Sequence, residues 1–139
     1  VHSFFVVDTL EYLARGGRIG RARAWVGQLL GIKPILGMAA GEVAPFDRAR
    51  GGRAAQRRLV GLMRERVDVS RPLVLGMSHA NAPIWAERLH ALLRDAGFQI
   101  SELLLTEMGP IVGAHVGPGT VGAVVFQPTD EEREWVSAG

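Results

Sequence analysis

The amino-acid sequence predicts an α/β fold, a mixed-sheet α/β sandwich built as a single domain over residues 1–139. Short β-branched and aromatic runs alternate along the chain with amphipathic stretches of helical period, which is typical of strands alternating with helices. Two of the strand-like runs flank Ala39–Gly41 and predict a β-hairpin. Because a hairpin pairs strands antiparallel, we expect the sheet to be mixed. No linker and no repeat array interrupts the pattern.

The predicted strands are short, largely apolar runs bounded by turn residues. They cover Ser3–Val7, Lys33–Met38, Glu42–Phe46, Pro72–Met77, Glu102–Leu105 and Val121–Phe126. Pro34 and Pro45 predict that the hairpin strands lie at a sheet edge or enter the sheet at those points, because proline cannot donate to the ladder. Residues 47–53 are predicted to be a charged connection to the next helix.

The predicted helices have apolar residues at intervals of three and four. The first begins at Asp8, which forms a capping-box pattern with Glu11. The fourth is capped by Asn81 and has Pro83 in its first turn. Between them lie helices over Arg21–Leu30 and Arg53–Val67. Residues 129–139 are polar and predict a short helical or frayed tail.

Composition narrows the classes of function. With 47% hydrophobic and 22% charged residues, the chain has the makeup of a globular domain. It has no cysteine, which fits a reducing cytoplasm and excludes thiolate metal sites. No apolar run approaches the roughly 18 to 20 residues that span a bilayer, and no secretory leader pattern opens the chain. The start at Val1, without an initiator methionine, indicates a piece of something longer. The net charge of +2 is too small to predict a nucleic-acid partner.

A glycine-rich segment, Glu107–Phe126, holds five of the chain's 18 glycines. Within it, Gly117–Gly122 matches the GxGxxG pattern of dinucleotide-binding proteins. That fingerprint follows a strand and opens a helix, whereas here a strand pattern, Val121–Phe126, comes next. The sequence therefore argues against a dinucleotide site, and we expect no cofactor.

His115 is the polar residue of this segment and stands between Gly113 and Gly117. It is a candidate general base or anion contact, and a structural histidine is the competing interpretation. His79 is a second polar residue at a strand end. Ser78 and His79 do not form a catalytic pair, because neighbouring strand residues point to opposite faces. The four histidines are scattered and predict no metal site.

Two Arg-Gly-Gly-Arg units occur, at Arg15–Arg18 and Arg50–Arg53. For the second unit we expect a turn with solvated arginines. Arg18 lies at a predicted helix-helix turn, where its guanidinium could hold an anionic group or a partner's carboxylate.

Three segments together resemble the DegV family of fatty-acid-binding proteins: Val7–Gly20, Ile32–Leu36 and Thr106–Gly119. They occur in the family's order and span most of the chain. The resemblance covers the family's C-terminal domain only. The missing N-terminal domain would supply the Thr and Ser that hydrogen-bond the acyl carboxylate. Ala14, where the family commonly has a charged residue, and the looser match at Arg50–Arg53 are departures from the pattern.

The resemblance implies a carrier that binds a long-chain fatty acid and presents its carboxylate to a fatty acid kinase. His115, with Gly113 and Gly117 beside it, would lie near the lipid head group. Arg18 would face the cleft between domains or the kinase. Ile35 and Leu36 would line the acyl slot, with core packing as the competing role. They share this prediction with Leu29, Leu30 and Met38.

The chain itself would not be catalytic, since phosphoryl-transfer motifs are absent from the sequence. A carrier of this kind also admits transient contact with a membrane. An alternative is an enzyme domain that binds a phosphorylated small molecule at the glycine-rich segment and uses His115 as acid or base. Nucleic-acid binding through the arginines is a weaker alternative.

Overall fold

The computed structural model describes residues 1–27, 30–129 and 131–132. The strands are β1 (His2–Val6), β2 (Ile32–Ala39), β3 (Glu42–Arg50), β4 (Leu73–His79), β5 (Ile100–Glu107) and β6 (Val121–Phe126). The α-helices are α1 (Glu11–Arg15), α2 (Gly52–Arg66), α3 (Pro83–Asp95) and α4 (Pro110–Val116), and a 3₁₀ helix spans Gly20–Trp25. Within the described ranges, no helix is long and apolar enough to cross a membrane.

All six strands form one sheet in the order β3-β2-β1-β6-β4-β5. β4 and β5 pair in parallel, and every other neighbouring pair is antiparallel. The structure confirms the predicted mixed α/β fold and the β2–β3 hairpin. β3 is an edge strand, as Pro45 predicted. Pro34 instead lies in the second strand, where its carbonyl accepts a hydrogen bond from the N–H of Val7 at 3.3 Å.

The two faces of the sheet carry separate apolar clusters. α2 and α3 pack on one face, and their inward residues, including Leu59, Met63 and Leu89, are fully buried against the strands. On the other face, a smaller cluster joins α1 and the 3₁₀ helix to the β1–β2 end of the sheet. Its buried members are Val7, Leu10, Leu13, Ile19, Ala22 and Leu36.

The start of the chain differs from the prediction in two places. Asp8 does not cap a helix, because its carboxylate pairs with Lys33 Nζ at 3.0 Å and α1 begins only at Glu11. The N–H of Glu11 donates to Thr9 Oγ1 instead. The helix predicted over Arg21–Leu30 is a short 3₁₀ helix that ends at Trp25, where the backbone turns extended at Val26. Residues 28 and 29 of that prediction lie outside the described residues.

The middle of the chain requires two further corrections. The prediction of a charged connection over residues 47–53 was wrong. β3 continues to Arg50 and pairs with β2 past a bulge at Ile35/Leu36. Asn81 does not cap α3, whose N-cap residue is Ala82. The Nδ1 of His79 accepts a hydrogen bond from the N–H of this N-cap residue at 3.1 Å. His79 is buried and holds the β4–α3 turn.

The glycine-rich segment includes a helix that the sequence did not predict. It contains α4, which has Pro110 in its first turn and stops at Gly117, where φ is +90°. The strand that follows, β6, confirms that the GxGxxG match does not open a helix, since Gly122 lies inside that strand. Of the polar tail, Thr129 and Glu132 are described and exchange hydrogen bonds in a capping-box arrangement. Residues 130 and 133–139 of the tail prediction lie outside the described residues.

One part of the sheet remains exposed on the face opposite α2 and α3. We call it the open face and define it by the outward residues of β4, β5 and β6: Val74, Gly76, Ser78, Glu102, Leu104, Thr106, Gly122, Val124 and Phe126. Leu104 is 58% exposed and Val124 47% exposed, although both lie in regular strands. The domain therefore presents apolar sheet surface to its surroundings.

Candidate functional site

α4 places His115 in its last turn, directed toward the end of α1. The Nδ1–Cε1 edge of the imidazole lies against Gly16, since a Cβ built on Gly16 would be 2.6 Å from Nδ1 and 3.4 Å from Cε1. The side chain is half-buried. The structure therefore brings together the Arg-Gly-Gly-Arg unit of α1 and the histidine of the glycine-rich segment.

A second contact joins the same two helices, with the ring now on α1 and the glycine after α4. The ring of Tyr12, on α1, packs directly on the backbone of Gly117, which follows α4. Each helix thus contributes one ring, and the residue after each helix is a glycine that receives the other helix's ring. We refer to these two packings, Tyr12 on Gly117 and His115 on Gly16, as the α1–α4 contact. A Cβ at either glycine would overlap the ring that packs on it, so the α1–α4 contact requires glycine at both positions.

The turn after α4 is held by a buried threonine. Thr120 is fully buried, and its hydroxyl lies within hydrogen-bonding distance of the carbonyls of Val116 (3.1 Å) and Gly117 (2.9 Å). The backbone of Ala80 secures the same turn, accepting from the N–H of Gly119 at 2.8 Å and donating to the carbonyl of Thr120 at 2.9 Å. The glycine-rich segment is therefore fastened to the end of β4 on both sides of the turn.

An open cavity of about 560 Å³ lies where the parallel strands β4 and β5 end. Its wall is formed by Ala80, Asn81, Glu107, Met108, Gly109, Pro110, Gly113 and Pro118. The carboxyl ends of neighbouring parallel strands are a common place for ligands in α/β sheets. Asn81 has φ of +52°, a left-handed conformation that is uncommon outside glycine. Of the predicted site residues, Gly113 lines this cavity.

The other predicted site residues occupy different places. Arg18 is exposed just beyond α1, and its backbone N–H donates to the carbonyl of Leu13 at 2.9 Å. Within the described ranges, no carboxylate lies within ion-pair distance of its guanidinium. Ile35 and Leu36 are both fully buried, in the two clusters on opposite faces of the sheet. In this structure they pack the core, the competing role that the sequence allowed, and have no free surface for a ligand.

Of the other residues predicted to line an acyl slot, Met38 is 47% exposed at the end of β2 and Leu30 is exposed just before that strand. The open face carries a further apolar surface. Gly76 lies between Leu104 of β5 and Val124 of β6 in the pairing register. The two apolar side chains therefore stand on either side of a residue that has none. One step along the strands, Ser78 pairs with Gly122, a second glycine, beside Phe5 and Met108. The result is a shallow trough with Leu104, Val124 and Phe5 as its apolar sides and the hydroxyl of Ser78 beside Gly122. It leads toward Met108, which belongs to the cavity wall.

Two signals in the sequence could have located this trough. Glycine inside a strand often marks a place where a ligand or another backbone approaches closely, which applies to Gly76 and Gly122. The run Leu103–Leu105 lacks the alternation of a half-buried strand, so at least one leucine had to point away from the core. Neither glycine nor leucine carries a reactive group, so these positions have no chemical feature that marks a site in the sequence.

Comparison with known proteins defines the class of this domain. The model of a family described as "Uncharacterised protein, DegV family" matches residues 1–128. A DegV domain-containing protein of Streptomyces coelicolor is 39% identical over 123 residues, which cover 88% of this chain and 43% of that protein. A "Fatty acid-binding protein" of Thermotoga maritima is 32% identical over 121 residues, or 86% of this chain and 41% of that protein.

Solved structures agree with this assignment. The structure named "Fatty Acid Binding of a DegV family Protein from Thermus thermophilus" superposes with a TM-score of 0.85 at 32% identity, covering 91% of this chain and 45% of that one. The chain belongs to the DegV family. It spans less than half the length of the relatives it matches.

Proposed function

We propose that this chain is the C-terminal domain of a two-domain fatty-acid carrier, and that it forms one wall of the acyl-binding cleft. The observation that carries the proposal is the open face, an apolar trough floored by Gly76 and Gly122 that leads to a cavity with polar groups at its rim. A fatty acid requires this combination of a long apolar surface and one polar end.

The energetics support a lipid as the ligand. Each methylene removed from water contributes about 0.8 kcal/mol, so a dozen methylenes exceed the usual costs of ordering a ligand. The open face covers only one side of such a chain. The names of the relatives from Thermotoga maritima and Thermus thermophilus refer to fatty-acid binding, and both proteins are more than twice as long as their matched region. We assign the opposite wall to the N-terminal domain of the full-length protein.

In this proposal the carboxylate lies near the α1–α4 contact. His115 supplies a polar ring nitrogen there, and Arg18 supplies a nearby exposed cation. Donors from the N-terminal domain complete the head-group site. The protein acts as a cytoplasmic carrier that presents the carboxylate to a fatty acid kinase, and the exposed guanidinium of Arg18 is suited to a carboxylate on that kinase.

Calorimetric titration with palmitate and oleate tests the proposal. We expect the full-length protein to bind both acids, and residues 1–139 alone to bind at least about tenfold more weakly, because half of the apolar contact is absent. Equal affinity for the two proteins would place the whole site on this domain. If the full-length protein binds neither acid but binds a phosphorylated metabolite, the alternative of an enzyme domain with His115 as acid or base is favoured.

A further inference from the structure

We propose that Gly16 is a positioning residue for His115, because its lack of a side chain lets the imidazole lie against the end of α1. The structural part of this inference stands on the geometry of α1 and α4 alone. Its consequence for affinity rests on the proposed fatty-acid site. Gly16 itself touches no ligand in this account and acts through the histidine.

The backbone does not require glycine at this position. Gly16 has φ of −81° and ψ of −1°, an ordinary right-handed conformation that any residue adopts. Its N–H donates to the carbonyl of Tyr12 at 3.0 Å, which closes the last turn of α1 and fixes the position of the Cα. What excludes a larger residue is space, because a Cβ would meet His115 Nδ1 at 2.6 Å.

The neighbouring glycine shows the opposite requirement. Gly17 has φ of +68°, a left-handed conformation that favours glycine, and a Cβ built there would meet no atom within 4 Å. Gly17 is therefore glycine because the turn needs a positive φ, whereas Gly16 is glycine because the imidazole of His115 leaves no space for a side chain. This division makes the two positions a matched pair for experiment.

The contact also determines where the ring lies. Nδ1 and Cε1 are the imidazole atoms that a Cβ on Gly16 would meet, so the imidazole occupies the space that a side chain at this position would fill. The packing of Tyr12 on Gly117 holds the other end of the α1–α4 contact and fixes the position of α4 against α1. A movement of α1, which leads directly to Arg18, would therefore move His115 as well.

Histidine NMR provides a test that does not depend on any ligand. The chain has four histidines, and the variant His115→Ala identifies the imidazole signals of His115 by their loss. We expect Gly16→Ala to shift those signals and to leave the signals of His2, His79 and His90 in place. Gly17→Asn is the matched control, since asparagine tolerates positive φ and its side chain enters open space. A folded Gly16→Ala protein with unmoved His115 signals would overturn the proposal.

A double-mutant cycle covers the case in which Gly16→Ala folds poorly. If the cost arises from the imidazole, Gly16→Ala should lower the urea midpoint in the wild-type background but have little effect in the His115→Ala background. An equal loss of midpoint in both backgrounds would show that Gly16 serves the backbone and not the histidine, and would contradict the inference.

Palmitate binding to the full-length protein measures the functional consequence. Gly16→Ala should weaken palmitate binding about tenfold, the loss expected for one hydrogen bond to a charged group, while Gly17→Asn should not. If wild-type protein binds no palmitate, the proposed function fails, whereas the NMR result still decides the role of Gly16. If palmitate binds equally to wild type and Gly16→Ala, Gly16 is not a positioning residue for this ligand.

Discussion

The imidazole of His115 lies against Gly16, so two glycine-bearing motifs that are distant in the sequence meet at one contact. Tyr12 and Gly117 repeat the arrangement in the opposite direction. This pairing explains why both motifs combine rings with glycines. It also connects the residue proposed for the lipid head group to the helix that ends beside Arg18.

Gly117→Ala tests the other half of the α1–α4 contact. The alanine would need φ of +90° and would also overlap the ring of Tyr12. We expect a loss of about 2 to 4 kcal/mol in the free energy of unfolding, from backbone strain and overpacking together. Gly97→Ala is the control, because Gly97 has φ of +91° and nothing within 4 Å of the added Cβ, so only strain of about 1 kcal/mol applies. Equal losses in urea denaturation would show that the Tyr12 contact is unimportant.

Gly76→Val tests the open face without harming the fold. Gly76 lies in the interior of β4, and its nearest neighbours to a new Cβ, the carbonyl oxygen and Cβ of Val124, are at 3.9 and 4.0 Å. Valine suits a strand, so we expect the free energy of unfolding to change by less than about 0.5 kcal/mol or to rise slightly. In the full-length protein the added side chain should fill the trough and weaken palmitate binding at least about tenfold.

The control for this variant is Gly61→Ala, on α2, where the nearest atom to the new Cβ is an Arg58 nitrogen at 3.8 Å. It should leave palmitate affinity unchanged. If Gly76→Val binds palmitate as well as wild type, the acyl chain does not occupy the open face.

The ion pair between β3 and α2 predicts a pH dependence. The hydrogen bond from the Arg58 guanidinium, with a second from the N–H of Arg48, lowers the pKa of the Asp47 carboxyl below its usual value. A carboxyl whose pKa is lower in the folded chain than in the unfolded chain stabilises the fold at pH values above its unfolded pKa of about 3.9. That stabilisation is lost as the pH falls through the folded pKa.

Asp47→Asn should therefore lower the free energy of unfolding at pH 7 by up to about 1 kcal/mol, as expected for a pair at the surface. The difference from wild type should shrink as the pH falls below about 4 and then through the lowered pKa of Asp47, beneath which both proteins lack the charge. Urea denaturation at pH 7 and pH 3 measures it. Glu42→Gln, which removes a longer contact of 3.6 Å with Arg21, is the comparison and should change less. A difference that stays constant from pH 7 to pH 3 would exclude the ionic explanation.

His115→Ala in the full-length protein tests the head-group assignment. The side chain is half-buried at the α1–α4 contact, so its loss should leave the fold intact and cost at most about 1 to 2 kcal/mol. Phosphorylation of the bound fatty acid by its kinase should fall. Unchanged turnover would assign His115 a structural role only.

The periodicity of the sequence was sufficient to predict the mixed sheet, the hairpin and the helices α2 and α3. It failed where local signals were overridden by tertiary partners. Asp8 matches a helix cap but pairs with Lys33, and Asn81 precedes a helix whose N-cap is Ala82, which is hydrogen-bonded to His79. α4 was missed because Gly109, Gly113 and Gly117 weaken every helical pattern.

Prediction of the site was less complete for a different reason. His115 and Arg18 have functional groups that suggest a role, and their placement near α1 follows from the fold. Ile35 and Leu36 show the limit of apolar patterns, since a core residue and a ligand-facing residue look alike in sequence. The open face depends on which side of each strand is covered, and this is decided by the packing of α2 and α3 on the opposite side.

Mass spectrometry of the ligand extracted from the purified full-length protein tests whether the protein carries a fatty acid. We expect recovery of long-chain fatty acid in near-stoichiometric amount, with a reduced amount from the Gly76→Val protein. Recovery of a phosphorylated metabolite and no acyl chain would contradict this expectation.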